Sequence, residues 1–137
     1  MRYLFLCIFL IISMLIYSQN IHESNRLKVV DTSRTITGKV IGLEYSLDGD
    51  CEIKVMLDSV YTCLLNNCNI TKKGKCLVCE VVCAGKSIFM ECKGYINNII
   101  VPRKGDHVLI TGPYVYDKRH KWMEIHPIKY IRIINNL

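Results

Sequence analysis

Beyond residue 34 the chain is a succession of short β-branched runs separated by turn signals, and this pattern restricts the possible folds more than any other feature. The Asp48-Gly49 pair after the first run is a strong hairpin signal, and a second turn at residues 104–106 launches a later run. Gly38 and Gly42 permit the bends that curved strands need. The strands are predicted at residues 35–45, 51–58, 76–83, 107–116 and 122–134.

Helical signals are confined to short stretches between these runs. A helical turn and loop are predicted over residues 61–69, and a short helix over residues 84–95. Three strands, a short helix and two strands are the element order of the OB-fold, a five-stranded Greek-key barrel whose closure protects strand edges. A β-sandwich, the competing architecture, usually needs about seven strands. We therefore predict an all-β fold with one short helix, a five-stranded OB-like Greek-key barrel over residues 35–137.

The N-terminus carries a targeting signal. Arg2 precedes an uncharged apolar run over residues 3–17, which is shorter than the roughly 20 residues of a membrane span. The small residue Ser18 suits the position before a cleavage site, so residues 1–18 are predicted to be a signal peptide and Gln19 the mature N-terminus. An uncleaved anchor is the alternative. Residues 19–34 are polar without a sustained period and are predicted to be a flexible lead-in.

Seven of the eight cysteines follow the predicted signal peptide. In the oxidising compartment that secretion implies, such density predicts a disulfide framework, with at least one thiol unpaired or bridged to another molecule because the number is odd. A bond between Cys83 and Cys92 would tie the end of the third strand to the segment that follows. Buried free thiols and a metal site are the alternatives, although zinc usually needs a second close pair and no His lies nearby. The pairing stays open for Cys51, Cys63, Cys68, Cys76 and Cys79.

The sequence is basic, with 18 Lys and Arg against 12 Asp and Glu. The positive charges mark two separate loops rather than one stripe, and neither reaches the block length of a nucleic-acid-binding arm. The pattern favours a solvated surface and argues against a nucleic-acid partner. A weak, salt-sensitive affinity for polyanions is the alternative. The two loops contain Lys72, Lys73 and Lys75, and Lys118, Arg119 and Lys121.

Residues 117–127 hold the only Trp and two of the four His. In an extended chain, side chains alternate between faces, so one face collects His120, Trp122, Glu124 and His126, and the other Lys121, Met123 and Ile125. Three interpretations are open: a structural polar cluster, a contact surface for a ligand, or a divalent transition-metal site. Ligands two residues apart on a strand are about 6.5 to 7 Å apart at the backbone, so a metal would need converging rotamers. Further oxygen ligands are available from Asp48, Asp50 and Glu80.

Several of these motifs together resemble a family of small secreted domains. The similar elements are the DGD turn at residues 48–50, CLVCEVVCA with a downstream cysteine, VPRKGDHVLITGPYVYD and HKWMEIHPI. The resemblance covers about residues 36–134 and is most specific in the last 35. It implies an OB-like barrel and a Cys83–Cys92 pair, and it implies no established activity. The additional cysteines depart from the family pattern.

Enzymatic motifs are sparse. Secreted nucleases on an OB barrel also carry a DGD turn, but they need Arg and Glu to act on a phosphodiester, and residues 58–69 contain neither. No Ser-His-Asp order, P-loop or dinucleotide motif is present. We therefore predict a secreted, non-enzymatic binding module with an extracellular ligand or surface partner, no cofactor and no membrane attachment after cleavage. The alternative is a metal-dependent hydrolase centred on Glu124 and His126. Asn69-Ile70-Thr71 is a glycosylation sequon.

Overall fold

The computed structural model describes residues 25–85, 92 and 97–134. The predicted signal peptide and most of the predicted helix over residues 84–95 lie outside this part of the chain. Within it, none of the helices is long and apolar enough to cross a membrane. The strands are β1 (Leu27–Tyr45), β2 (Cys51–Leu57), β3 (Leu77–Val81), β4 (His107–Asp117), β5 (Met123–Ile125) and β6 (Tyr130–Ile133). A 3₁₀ helix (Ser59–Leu64) and one α-helix, α1 (Asn67–Lys72), lie between β2 and β3.

The strands form one mixed sheet in the order β1-β2-β3-β5-β4-β6, and an additional pairing of β1 with β4 joins five of them into a ring. The β3–β5 pairing is parallel and the others are antiparallel. Apolar side chains fill the inside of this ring, among them Ile36, Ile53, Leu77, Ile110 and Ile125. The prediction of a mostly β fold is confirmed, but the described strands number six rather than five.

The first strand begins eight residues earlier than predicted. Residues 27–34, expected to be part of a flexible lead-in, pair with β4 from Leu27 opposite Asp117 to Arg34 opposite Gly112. The register shifts twice around Asp31, and Val29 and Val30 stay exposed, so this half of the strand has no clean alternation of polar and apolar residues. Only its pairing with β4, which lies 78 to 90 residues further along the sequence, identifies it as a strand.

The predicted closing strand over residues 122–134 is in fact two strands. Pro127 has no N–H to donate to a sheet, and it lies between β5 and β6. The strand that pairs with β4 also changes at this point. Residues 108–111 of β4 pair with β6, and residues 114–116 pair with β5. Gly112 lies at this change of partner, where a β-carbon would collide with the Pro127 carbonyl and the Ile125 side chain.

The local predictions for β2 and the helical segment are confirmed. Along β2, Cys51, Ile53, Val55 and Leu57 are buried, and the residues between them are partly or fully exposed. Helix α1 starts with a capping box in which the Asn66 side chain accepts from the N–H of Asn69, while the Asn69 side chain accepts from the N–H of Asn66. This reciprocal cap starts the short helix at Asn67 and holds Asn69 in a buried position.

One disulfide, Cys83–Cys92, is present in the described residues, as predicted from the sequence. It is the only part of the expected framework that forms there. Cys51, Cys76 and Cys79 are buried free thiols, Cys63 is exposed and Cys68 is partly exposed. The CxxC pair with Cys83 makes no metal site, because Cys79 points into the core and Cys83 is oxidised.

Replacing both Cys83 and Cys92 by serine should lower the free energy of unfolding by about 2 to 3 kcal/mol, because the unfolded chain regains the loop entropy that the bond removes. Urea denaturation of the variant and of the wild-type protein, each without reductant, measures this difference. The Cys63→Ser variant is the control and should match the wild type, because its thiol is exposed and unpaired. A double variant as stable as the wild type would show that the disulfide does not contribute to the free energy of unfolding.

Candidate functional site

The residues of the His-Trp-Glu-His motif converge on the outer face of the sheet, opposite the core. Ile125 points into the core, so its neighbour Glu124 points outward. Glu124 pairs with Val78 of β3 on one side and Val115 of β4 on the other, and both of these valines are buried. Although it is on the outer face, Glu124 is 0% exposed and His126 only 4%. Glu124 and His126 therefore form a buried polar layer outside the ring, and His120 and Trp122 are partly exposed.

His126 links two carboxylates. Its Nδ1 lies 2.7 Å from Oε2 of Glu80 and 3.5 Å from Oε1 of Glu124. The other oxygen of Glu124, Oε2, accepts a hydrogen bond of 3.0 Å from the indole N–H of Trp122. Glu80 is carried by β3 and Glu124 by β5, so the imidazole bridges the parallel junction that closes the ring.

Arg26 extends this group toward the N-terminus. Its Nε lies 3.0 Å from Oδ2 of Asp117, and its Nη2 lies 4.0 Å from Oε1 of Glu124. Asp117, 0% exposed, also accepts from the backbone N–H groups of Arg119 and His120 and contacts the His120 ring at 2.8 Å. Negative and positive side chains therefore alternate across the outer face. We call this set the ionic network; its members are Glu80, His126, Glu124, Arg26 and Asp117.

The only tryptophan joins the network to the α1 region. The His120 ring stacks on the Trp122 ring with centroids 4.4 Å apart, and Nζ of Lys73 lies 4.0 Å from the centroid of the Trp122 ring. The same ammonium group donates to both carboxylate oxygens of Glu52, at 2.7 and 2.8 Å. Trp122 is thus held in place by a cation, an imidazole and a carboxylate acceptor.

Asn69 fixes α1 to the strand that carries Glu124. Its side-chain N–H₂ donates to the carbonyls of Cys76 and Met123 at 3.1 and 2.9 Å, and its oxygen accepts from the N–H of Met123 at 2.9 Å. The side chain is 0% exposed. The sequon at Asn69 is therefore inaccessible in the folded protein, because the amide that would carry a glycan is buried and hydrogen-bonded on both atoms.

The ionisation of His126 follows from its surroundings. Burial alone lowers the pKa of His126, but hydrogen bonds with Glu124 and Glu80, and the negative charges of both, outweigh it and raise the pKa to about 9. The imidazole is therefore protonated at neutral pH. The ligand atoms of Glu80, Glu124 and His126 lie within 4.8 Å of one another, which suits a divalent cation. Such a cation would have to displace the shared proton and tolerate Arg26 beside Glu124.

The free energy of unfolding should fall by about 2 kcal/mol between pH 7 and pH 9 because of His126. Its pKa is about 9 in the folded state against 6.5 ordinarily, so the stabilisation is complete below pH 6.5 and lost as the pH rises through 9. Urea denaturation at several pH values measures this slope, and a His126→Gln variant should show a flatter one over the same range. Equal slopes in the two proteins would contradict the assignment.

The DGD turn lies beside the ionic network, and of its two aspartates only Asp50 interacts with members of the network. Oδ1 of Asp48 accepts from the Ser46 hydroxyl and from the N–H of Asp50, so Asp48 serves the turn. Oδ1 of Asp50 accepts from the N–H of Cys83 at 2.8 Å. Burial, with the charges of Asp48 and Glu80, raises the pKa of Asp50 to about 6 despite the Cys83 N–H and the His126 charge. Asp50 therefore links the disulfide to the edge of the network.

The structure brings most of the residues named from the sequence into one region. His120, Trp122, Glu124, His126 and Glu80 are in contact through the chain of interactions above, Asp50 is adjacent, and Asp48 remains in the turn. The sequence analysis did not assign four further residues to this site: Arg26, Asp117, Asn69 and Lys73. Only Asn69 had a readable signal, namely its three-residue spacing from Asn66, which is typical of a capping box.

No protein-family model, no curated protein and no solved structure matches this chain.

Proposed function

We propose that this protein is a secreted, non-enzymatic binding module built on an OB-like barrel. The ring order of the five strands, with a parallel β3–β5 closure, is consistent with a Greek-key barrel of that kind. The disulfide Cys83–Cys92 is consistent with an extracytoplasmic location. Binding would use the loops and the outer surface, as is usual for such barrels.

The observation that carries the non-enzymatic assignment is the way the ionic network uses its own groups. Glu124 and His126 are almost completely buried, and the contacts of Glu124 are with Arg26, His126 and Trp122. A general acid or base must reach a proton on the substrate. Here the two candidates for acid and base, Glu124 and His126, contact each other instead of facing a substrate. This arrangement supports an architectural role for the motif.

The Glu124→Gln variant tests the proposal. If the motif is architectural, the variant should melt several degrees below the wild type, because a buried anion between two cations is lost. Added Zn²⁺ or Mn²⁺ should leave the wild-type Tm unchanged. The matched control is Glu44→Gln, whose carboxylate is exposed and pairs with Lys54 at 3.4 Å; its Tm should stay near that of the wild type.

The second candidate is a metal-dependent hydrolase centred on Glu124 and His126, and the observation that favours it is the 4.8 Å grouping of three ligand atoms. In that case the purified protein would hold stoichiometric metal, and His126→Ala would lose it. Metal would also raise the wild-type Tm, and Glu124→Gln would be as stable as the wild type or more so. Stoichiometric metal that is lost in His126→Ala would replace the binding-module proposal by the hydrolase.

Secretion has its own test. Mass spectrometry of the protein exported by its native host should give a chain that starts near Gln19. Retention of Met1 in a membrane fraction would favour an uncleaved anchor and remove the secreted part of the proposal.

A further inference from the structure

Two basic loops that are far apart in the sequence meet on the surface. The first is residues 72–75, at the end of α1, and the second is residues 118–121, between β4 and β5. The Asn66 side chain donates to the Lys121 carbonyl at 3.0 Å, and the Lys73 ammonium lies over the Trp122 ring. These contacts, with the bonds from Asn69 to Met123, hold the two loops side by side.

The joined loops, here called the basic loop pair, present more positive charge than either loop alone. The exposed members are Lys72, Lys75, Lys118, Arg119 and Lys121. The carboxylates of the described residues in contact with this region are already engaged. Glu52 is held by Lys73, and Asp117 is buried against Arg26 and His120. Within the part of the chain that the structure describes, the outward charges are therefore not paired with a carboxylate, and Lys118 donates to the Asn25 carbonyl at 3.1 Å. Together they form a surface complementary to an anionic polymer.

The side chains of the basic loop pair favour one kind of anionic polymer over another. Single-stranded nucleic acid is usually bound by stacking its bases on open aromatic rings. The aromatic ring at this patch, Trp122, already carries His120 at 4.4 Å and the Lys73 ammonium at 4.0 Å, so it is not open for a base. What the patch offers instead is a group of exposed cations, four of the five being lysine, which suits a polymer recognised by its charge rather than by its bases.

We propose that the basic loop pair binds a sulfated polysaccharide. Sulfate esters stay ionised at every physiological pH, and they occur outside the cell, where the Cys83–Cys92 disulfide is expected to persist. This inference rests on the proposed binding function and names its partner class. Binding is electrostatic and weakens as salt is raised, in proportion to the number of cations engaged.

The test uses fluorescence anisotropy of a labelled heparin octasaccharide titrated with the secreted protein. The variant Lys72→Gln/Arg119→Gln/Lys121→Gln removes three charges from the patch. The matched control Lys39→Gln/Arg103→Gln/Lys104→Gln removes three exposed charges at the other end of β4, where Lys39 pairs with His107. We expect the patch variant to raise the Kd about tenfold or more and to flatten its salt dependence, and the control to change the Kd less than about twofold. Thermal melts verify that both variants are folded.

Three outcomes would overturn the proposal. Equal losses in the two variants would show that overall charge, not the basic loop pair, drives binding. Tighter binding of a single-stranded DNA 20-mer than of heparin would assign the surface to nucleic acid. No heparin binding by the wild type would remove this partner class. None of these results alters the Tm of Glu124→Gln or its response to metal, so failure here is distinguishable from failure of the proposed function.

Discussion

Replacing Arg26 by methionine should lower the free energy of unfolding by about 3 to 5 kcal/mol. Methionine preserves much of the apolar stem of arginine but removes the charge. Asp117 and Glu124, both 0% exposed, then lose the cation that lies 3.0 and 4.0 Å from them. Asp117 keeps the N–H groups of Arg119 and His120, and Glu124 keeps Trp122 and His126. Each nevertheless loses a cation in a buried layer, so this should be one of the most damaging single changes in the protein.

Urea denaturation measures the effect, and the matched control is Arg34→Met. Arg34 pairs with Asp31 at 2.7 Å, but both side chains are at least one-third exposed, so its loss should cost less than about 1 kcal/mol. A double variant, Arg26→Met/Glu124→Gln, should lose less than the sum of the two single changes, because the interaction between Arg26 and Glu124 can be lost only once. An Arg26→Met protein within 1 kcal/mol of the wild type would mean that the ionic network contributes little to the fold.

The isosteric change Asn69→Asp should cost about 3 to 5 kcal/mol. The side-chain N–H₂ of Asn69 donates to two backbone carbonyls, those of Cys76 and Met123. Aspartate would face the same carbonyls with an acceptor and a buried charge. Because the shape is unchanged, the loss is electrostatic rather than a packing defect. It should also separate α1 from β5 and so disturb the basic loop pair.

The control for Asn69→Asp is Asn67→Asp, the same change two residues earlier in α1. Asn67 is exposed at the start of the helix, where a negative charge is neutral or slightly favourable. Urea denaturation of the two variants measures the difference. An Asn69→Asp protein as stable as Asn67→Asp would contradict the role assigned to the Asn69 N–H₂ group.

Local patterns in the sequence were sufficient for features that depend on neighbouring residues. The alternation of β2, the hairpin at Asp48-Gly49 and the short helical segment after β2 all follow from side-chain period and turn chemistry. The Cys83–Cys92 pair could also be predicted from the sequence, because its two cysteines are close in the chain and follow the end of a strand. The grouping of Trp122 with Glu124 followed from their two-residue spacing.

Only the tertiary structure decided the features that depend on distant pairing. Residues 27–34 have no strand pattern of their own and are ordered by β4, and Arg26 therefore reaches Asp117 and Glu124 from the opposite end of the chain. The same pairing of remote segments buries Asn69 and brings the loops at residues 72–75 and 118–121 together. The physical reason is that hydrogen bonds and ion pairs between distant segments leave no period in the sequence. The sequence around Arg26 is therefore that of a solvated lead-in, and only the pairing of β1 with β4 shows that Arg26 contacts Asp117.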